Sequence, residues 1–192
     1  MGRDLGTGSD EVHEQAAAVL AFWFDEVGPD KQFAKNEAVD RACARRFGGL
    51  RERLLASGAA GWTDAPETLL AAIIVLDQMS RNIARGQAAA FAADPLALRL
   101  SLAALDKGWD AALTPEQRVF LYMPLMHAED VSMQERSVAL FERLGREENL
   151  RFAREHRDVI ARFGRFPTRN AALGRLSTPA EEAYLSQPGV GW

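Results

Sequence analysis

Three short stretches carry groups that a helical core does not need and that chemistry can use: Leu76-Asp77-Gln78-Met79-Ser80-Arg81-Asn82, Pro124-Leu125-Met126-His127-Ala128-Glu129-Asp130 and Phe163-Gly164-Arg165-Phe166-Pro167-Thr168-Arg169-Asn170. Asp77 and Arg81 stand four residues apart, the spacing at which a carboxylate and a guanidinium meet on a helix. They suit a buried ion pair or a clamp for a ligand, with Gln78 and Asn82 adding amide donors and acceptors along the same flank. His127 is followed by Glu129 and Asp130, carboxylates that can orient an imidazole, cap the next helix or meet a cation. Arg165, Arg169 and Asn170 lie among aromatic and proline anchors, and guanidinium forks match carboxylate or phosphate geometry. His156 adds a second imidazole, set among Phe152, Val159, Ile160 and Phe163 at helical spacing.

Each group has a purely architectural alternative. Asp77 and Arg81 can lock helix packing, the histidines can be satisfied core residues, and Arg165, Arg169 and Asn170 can tie helix ends by bonding carbonyls and acids. Two imidazoles with Glu129 or Asp130 form a possible metal ligand set, yet no His-Glu-x-x-His pattern is present, and neither a metal nor a cofactor is expected. Cys43 sits beside Arg41, Arg45 and Arg46 without an identifiable base, and no serine has a nucleophile-elbow context.

The elements that must position these groups read as helices. A 3.6-residue hydrophobic period runs through nearly every segment. Proline stands near a first helical turn in Asp64-Ala65-Pro66, Asp94-Pro95, Thr114-Pro115 and Thr178-Pro179. The pattern predicts helices over about 11–27, 37–57, 66–84, 88–108, 115–127, 131–144 and 147–164, with a shorter pair near 169–174 and 179–186. Thr114-Pro115-Glu116-Gln117 has the form of a capping box, and Pro124 inside its helix predicts a kink. No alternating strand is evident. Short connections favour antiparallel neighbours, so the fold class is all-α, a stack of helical hairpins with about eight or nine helices.

Composition sets the outer limits. At 192 residues with 47% hydrophobic content, the chain suits one helical domain over 10–192, or at most two tightly packed lobes, after a Gly-rich flexible tail at 1–9. A net charge of −4 and the lack of a recognition-helix motif argue against sequence-specific nucleic-acid binding. Cys43 is the single cysteine, so an intrachain disulfide is excluded and a reducing cytoplasm fits. The longest apolar run, Leu69 to Leu76, is too short for a bilayer, so no membrane span is expected.

The blocks also carry a resemblance. Val19-Leu20-Ala21-Phe22-Trp23-Phe24, Leu76-Asp77-Gln78 with Arg81-Asn82, Pro124 with Met126-His127 and Glu129-Asp130, Gln134, and Phe163-Gly164-Arg165-Phe166-Pro167 with Arg169-Asn170 resemble a bacterial domain family of unknown function related in fold to tetratricopeptide-repeat proteins. The resemblance covers the chain from the first helix to Tyr184 and implies a tetratricopeptide-like right-handed superhelix with no settled activity. Ala128 stands where that family is expected to carry serine, Thr168 where it often carries histidine, and Met79-Ser80 where Phe-Pro is usual. Those departures weaken a catalytic or metal role at these positions.

Three functional expectations follow. The leading one is a small anionic ligand or acidic peptide bound in a polar pocket of the three blocks. There Arg81, Arg165 and Arg169 would meet the anion, Asp77 would orient an arginine, and His127 with Glu129 would tune the charge. Gln78, Asn82, Asp130, His156 and Asn170 complete the candidate set. The alternatives are a hydrolase or other acid/base enzyme using His127 or His156 with Glu129 or Asp130, and a structural interaction scaffold. The oligomeric state is not legible.

Overall fold

The computed structural model describes residues 5–190, and every regular element among them is helical. Ten α-helices follow in chain order: α1 (Leu5–Ala21), α2 (Pro29–Gln32), α3 (Glu37–Ser57), α4 (Pro66–Ile73), α5 (Ser80–Ile83), α6 (Asp94–Asp106), α7 (Pro115–Met126), α8 (Val131–Leu144), α9 (Glu147–Phe163) and α10 (Pro179–Leu185). The chain divides into two compact units, one of residues 1–85 and 89–124, the other of 86–88 and 125–192. α1 begins at Leu5, inside the stretch expected as a tail; the remainder of that expectation, residues 1–4, lies outside the described residues.

Two departures from plain α-helix coincide with the polar and aromatic blocks. α1 continues as a π-helical segment, Phe22–Val27, and α4 passes through another, Ile74–Met79, into α5. An i→i+5 turn inserts a residue without ending the rod, so a 3.6-residue count cannot detect it. In the second segment Arg81 Nη1 donates to the carbonyl of Asp77 at 2.7 Å, a side chain entering the backbone ladder where it is widened.

The first unit is built around this interrupted rod. Every residue from Thr68 to Ser80 is buried, so the helix is covered all round instead of showing one wet face. α4 packs on α1 and α6, while α3 lies along the second π-segment and α5. The expected helix over 88–108 is shorter. A 3₁₀ turn at Ala88–Ala90 and a bend precede α6, which starts at Asp94 with Pro95 in its first turn. By length and composition, Ala88–Asp106 alone among the described helices passes for a membrane span. The break leaves the 13-residue α6, about 20 Å of helix against the ~30 Å of a bilayer core.

Caps set several boundaries. Asn36 Oδ1 accepts from the amides of Ala38 and Val39 at 3.0 and 3.1 Å and starts α3. The capping box expected at Thr114 is formed, with the Thr114 amide donating to Gln117 Oε1 at 3.0 Å and the Gln117 amide to Thr114 Oγ1 at 3.3 Å. α7 runs through Pro124 and ends two residues later. In the second unit α8 and α9 form an antiparallel hairpin. α9 ends on Gly164 at φ 69°, a left-handed value that strains any residue with a Cβ, and Val159, Ile160 and Phe166 make the adjoining core. The helix expected at 169–174 is instead a 3₁₀ turn, Pro167–Arg169, followed by hydrogen-bonded turns.

Candidate functional site

In the first unit the nominated residues fall into two adjoining ion-pair groups. Asp77 is fully buried, lies 3.1 Å from Arg81 Nη1 and accepts from Gln78 Nε2 at 2.5 Å. Arg81 turns its fork onto Asp94, with Nη1 and Nη2 each 3.0 Å from a carboxylate oxygen, and packs over the Phe91 ring. Burial lowers the Arg81 pKa, but Asp77 and Asp94 more than offset it and hold the group above the ordinary arginine value. Asn82 instead belongs with Arg85. Both donate to Asp40, whose carboxyl is held below its usual range by Arg85 first and Asn82 second, against the effect of burial. Arg51, not singled out in the sequence, is buried beside them and donates to Ser80 Oγ at 2.8 Å and the Ala89 carbonyl at 2.6 Å.

In the second unit all the nominated residues except Asp130 are linked in one network. The rings of His127 and His156 are 6.1 Å apart, and His156 meets Phe166 edge-on at 5.5 Å. His156 Nδ1 lies 2.8 Å from the Phe152 carbonyl, the contact that satisfies an imidazole inside a helix. Arg169 lies over Phe166 and donates to the His127 carbonyl at 2.9 Å. Glu129 accepts the Phe166 amide at 2.8 Å and both terminal nitrogens of Arg175 at 2.7 and 3.0 Å. Burial raises Glu129, yet Arg175 and the Phe166 amide outweigh it, so the carboxyl titrates below its usual range. Asp130 caps α8 at the Met133 amide and also takes the Ser132 hydroxyl.

Arg165 and Asn170 find their partners in residues the sequence did not nominate. Arg165 reaches both oxygens of Glu181 at 2.7 and 2.8 Å, and Asn170 Nδ2 lies 3.3 Å from the same carboxylate. Glu181 also accepts the Thr178 amide in the capping box of α10. Arg165 first and that amide second bring its pKa down to about 2. Arg175 bridges Asn170 Oδ1, Glu129 and the Phe166 carbonyl. The signal that could have found Glu181 was Thr178-Pro179-Ala180-Glu181, a capping-box pattern whose glutamate serves the helix end and the arginine together. Gln134, buried in α8, donates to the carbonyls of Met126 and Ala128 at 2.7 Å each and so fixes the backbone on either side of His127.

Two grooves lie apart from these residues. In the first unit a groove of about 540 Å³ runs from the end of α1 across its π-segment to the start of α7. Leu20 and Phe24 supply apolar walls, and Asp25 and Glu116 supply carboxylates. Phe24 and Phe33 both pack on Phe120, at ring distances of 5.5 and 5.8 Å, and Phe33 remains 61% exposed. A second groove of about 520 Å³ lies among Val12, Gln15, Leu50, Arg53 and Trp62. None of the eleven nominated residues lines either groove. Among the described residues no three His, Cys, Asp or Glu side chains are grouped to hold a metal.

Residues 19–189 match the family described as bacterial protein of unknown function, DUF924. A solved structure of a protein of unknown function from Agrobacterium tumefaciens, ATU0120, is 40% identical and superposes with a TM-score of 0.86, over 91% of this chain and 98% of that one. A search of curated proteins gives no match.

Proposed function

This chain belongs to DUF924, a bacterial family of unknown function, and we propose that it works as a cytoplasmic recognition module that takes a peptide segment in the groove of its first unit. The observation that carries this reading is the open wall of Leu20 and Phe24 beside the exposed ring of Phe33, apolar surface kept in water at a cleft. On this reading the polar blocks are braces. Arg81, Arg165 and Arg85 face Asp77 with Asp94, Glu181 and Asp40, so an anion would have to displace an internal carboxylate to reach them. Both oxygens of Glu129 are engaged by Arg175, which also weakens its use as the partner of a catalytic histidine.

Peptide display against the folded protein, counter-selected on Leu20→Glu and Phe24→Asp, tests the proposal. Enriched peptides should bind wild type and lose at least about tenfold in affinity for both variants, the loss of one anchor contact. They should keep their affinity for His127→Ala and Arg165→Ala, changes that act on stability alone. A metabolite or acidic peptide whose binding disappears in folded Arg81→Ala or Arg165→Ala would replace this reading with an anion site at the polar blocks.

A further inference from the structure

We infer that the groove holds its peptide extended and reads the main chain through Gln32 and Gln117, an inference that rests on the groove being the binding surface. Both side chains line it, Gln32 from the end of α2 and Gln117 from the first turn of α7. Each has one end of its amide already committed. Gln32 Nε2 donates to the Trp23 carbonyl at 2.8 Å, and Gln117 Oε1 accepts the Thr114 amide at 3.0 Å. A carbonyl takes only a donor and an N–H only an acceptor, so these bonds decide which end of each amide is left over. What remains is an acceptor, Gln32 Oε1, and a donor, Gln117 Nε2. Among the described residues neither atom has a partner, and neither is buried, so both are open to an occupant.

That pair matches a peptide unit. A cationic group offers only donors and a carboxylate only acceptors, so either leaves one of the two glutamines unanswered, whereas a main chain supplies an N–H for Gln32 and a carbonyl for Gln117. The peptide must be extended, because inside a helix both groups are spent on internal bonds. The tethers also favour binding. A glutamine loses rotamer freedom when it engages a ligand, and a side chain with one end fixed to the backbone has lost much of it beforehand. Leu20 and Phe24 then receive apolar side chains of the same stretch, while the main-chain bonds leave its other positions tolerant of sequence. An asparagine or glutamine side chain carries the same two groups as a peptide unit, so the experiment separates the two sources.

The probe is the peptide most enriched by display, capped at both ends, with each main-chain amide replaced in turn by an ester, which deletes one N–H and keeps the shape. Titration calorimetry should find one ester that costs wild type about 3–10-fold in affinity and costs Gln32→Lys nothing further, since lysine still donates to the Trp23 carbonyl but accepts nothing. Gln117→Glu keeps an oxygen on the Thr114 amide, as capping boxes with glutamate do, and turns the open end from donor to acceptor. It should keep the wild-type melting temperature and lose about tenfold in affinity at high salt as at low, which separates the lost donor from the added charge. Esters that all bind like the parent, or that cost Gln32→Lys as much as wild type, overturn main-chain reading and leave the groove reading standing. Undiminished affinity in Gln117→Glu does the same, as does affinity lost only when an asparagine or glutamine of the peptide becomes alanine. A parent peptide that binds Leu20→Glu and Phe24→Asp as it binds wild type, or display that enriches no peptide, overturns both readings.

Discussion

At the residue scale, burial and pairing decide which side chains react and which titrate. Cys43 is fully buried, and burial first, then Asp40, pushes its thiol up to about 12. The thiolate is the nucleophile, so Ellman's reagent at pH 8 should leave the native protein unmodified and titrate the single thiol after denaturation. Modification at the native rate of a free thiol would show that the site opens. Glu181 behaves oppositely. Its folded pKa of about 2 lies below the ordinary 4.5, so its pairing contributes in full above 4.5 and is lost as the pH falls toward 2. Between those values the unfolded chain takes the proton first. Melting temperature followed from pH 6 down to pH 2 should therefore fall more steeply for wild type than for Glu181→Gln, and parallel curves would remove Glu181 from the acid response. Glu129 and Asp40, both held low by arginines, add to the same acid loss in either protein.

At the element scale, the rod of α4, its π-segment and α5 concentrates stability in few side chains. Asp77 is fully buried, and removing it leaves the Gln78 amide without that acceptor and Arg81 with Asp94 as its remaining carboxylate. Asp77→Ala should cost about 2–3 kcal/mol in urea unfolding, whereas Glu37→Ala, which breaks an exposed i,i+4 pair with Arg41, should cost under about 1 kcal/mol. Comparable losses would place Asp77 outside the buried network. The same rod shows what sequence could and could not convey. Periodicity and proline at first turns placed α3, α7, α8 and α9 closely, because amphipathic spacing and caps are local. The π-segments escaped because inserting one residue leaves the helical rod continuous and the apolar residues on both sides in helical runs. Asp77 and Arg81 were recognised as a pair from their spacing. Asp94 and Arg51, which complete the environment, join only through tertiary packing, and no local pattern announces them. Likewise the segment after Phe166 looked helical by composition, but Arg175 bonding back to Asn170 and Glu129 holds it as turns.

At the scale of the whole molecule, the candidate residues are divided: Asp77, Gln78, Arg81 and Asn82 belong to the first compact unit, and His127 through Asn170 to the second. Each unit has its own buried core, the fully covered stretch from Thr68 to Ser80 in one and Val159, Ile160 and Phe166 in the other. Each also has its own ion pairs. Stability is distributed in cooperative parts when contacts are concentrated within them, so damage should first appear in the part that carries it. Hydrogen exchange read by mass spectrometry gives the comparison. Asp77→Ala should accelerate exchange over 68–83 before it touches α9, and Arg175→Ala, which releases Glu129 and the Phe166 carbonyl, should accelerate 129–134 and 164–178 before the first unit. The two variants should therefore give complementary maps. Loss of protection spread evenly over both units in either variant would mean that the chain opens as one cooperative body, and that the braces act on global stability instead of on the unit they hold together.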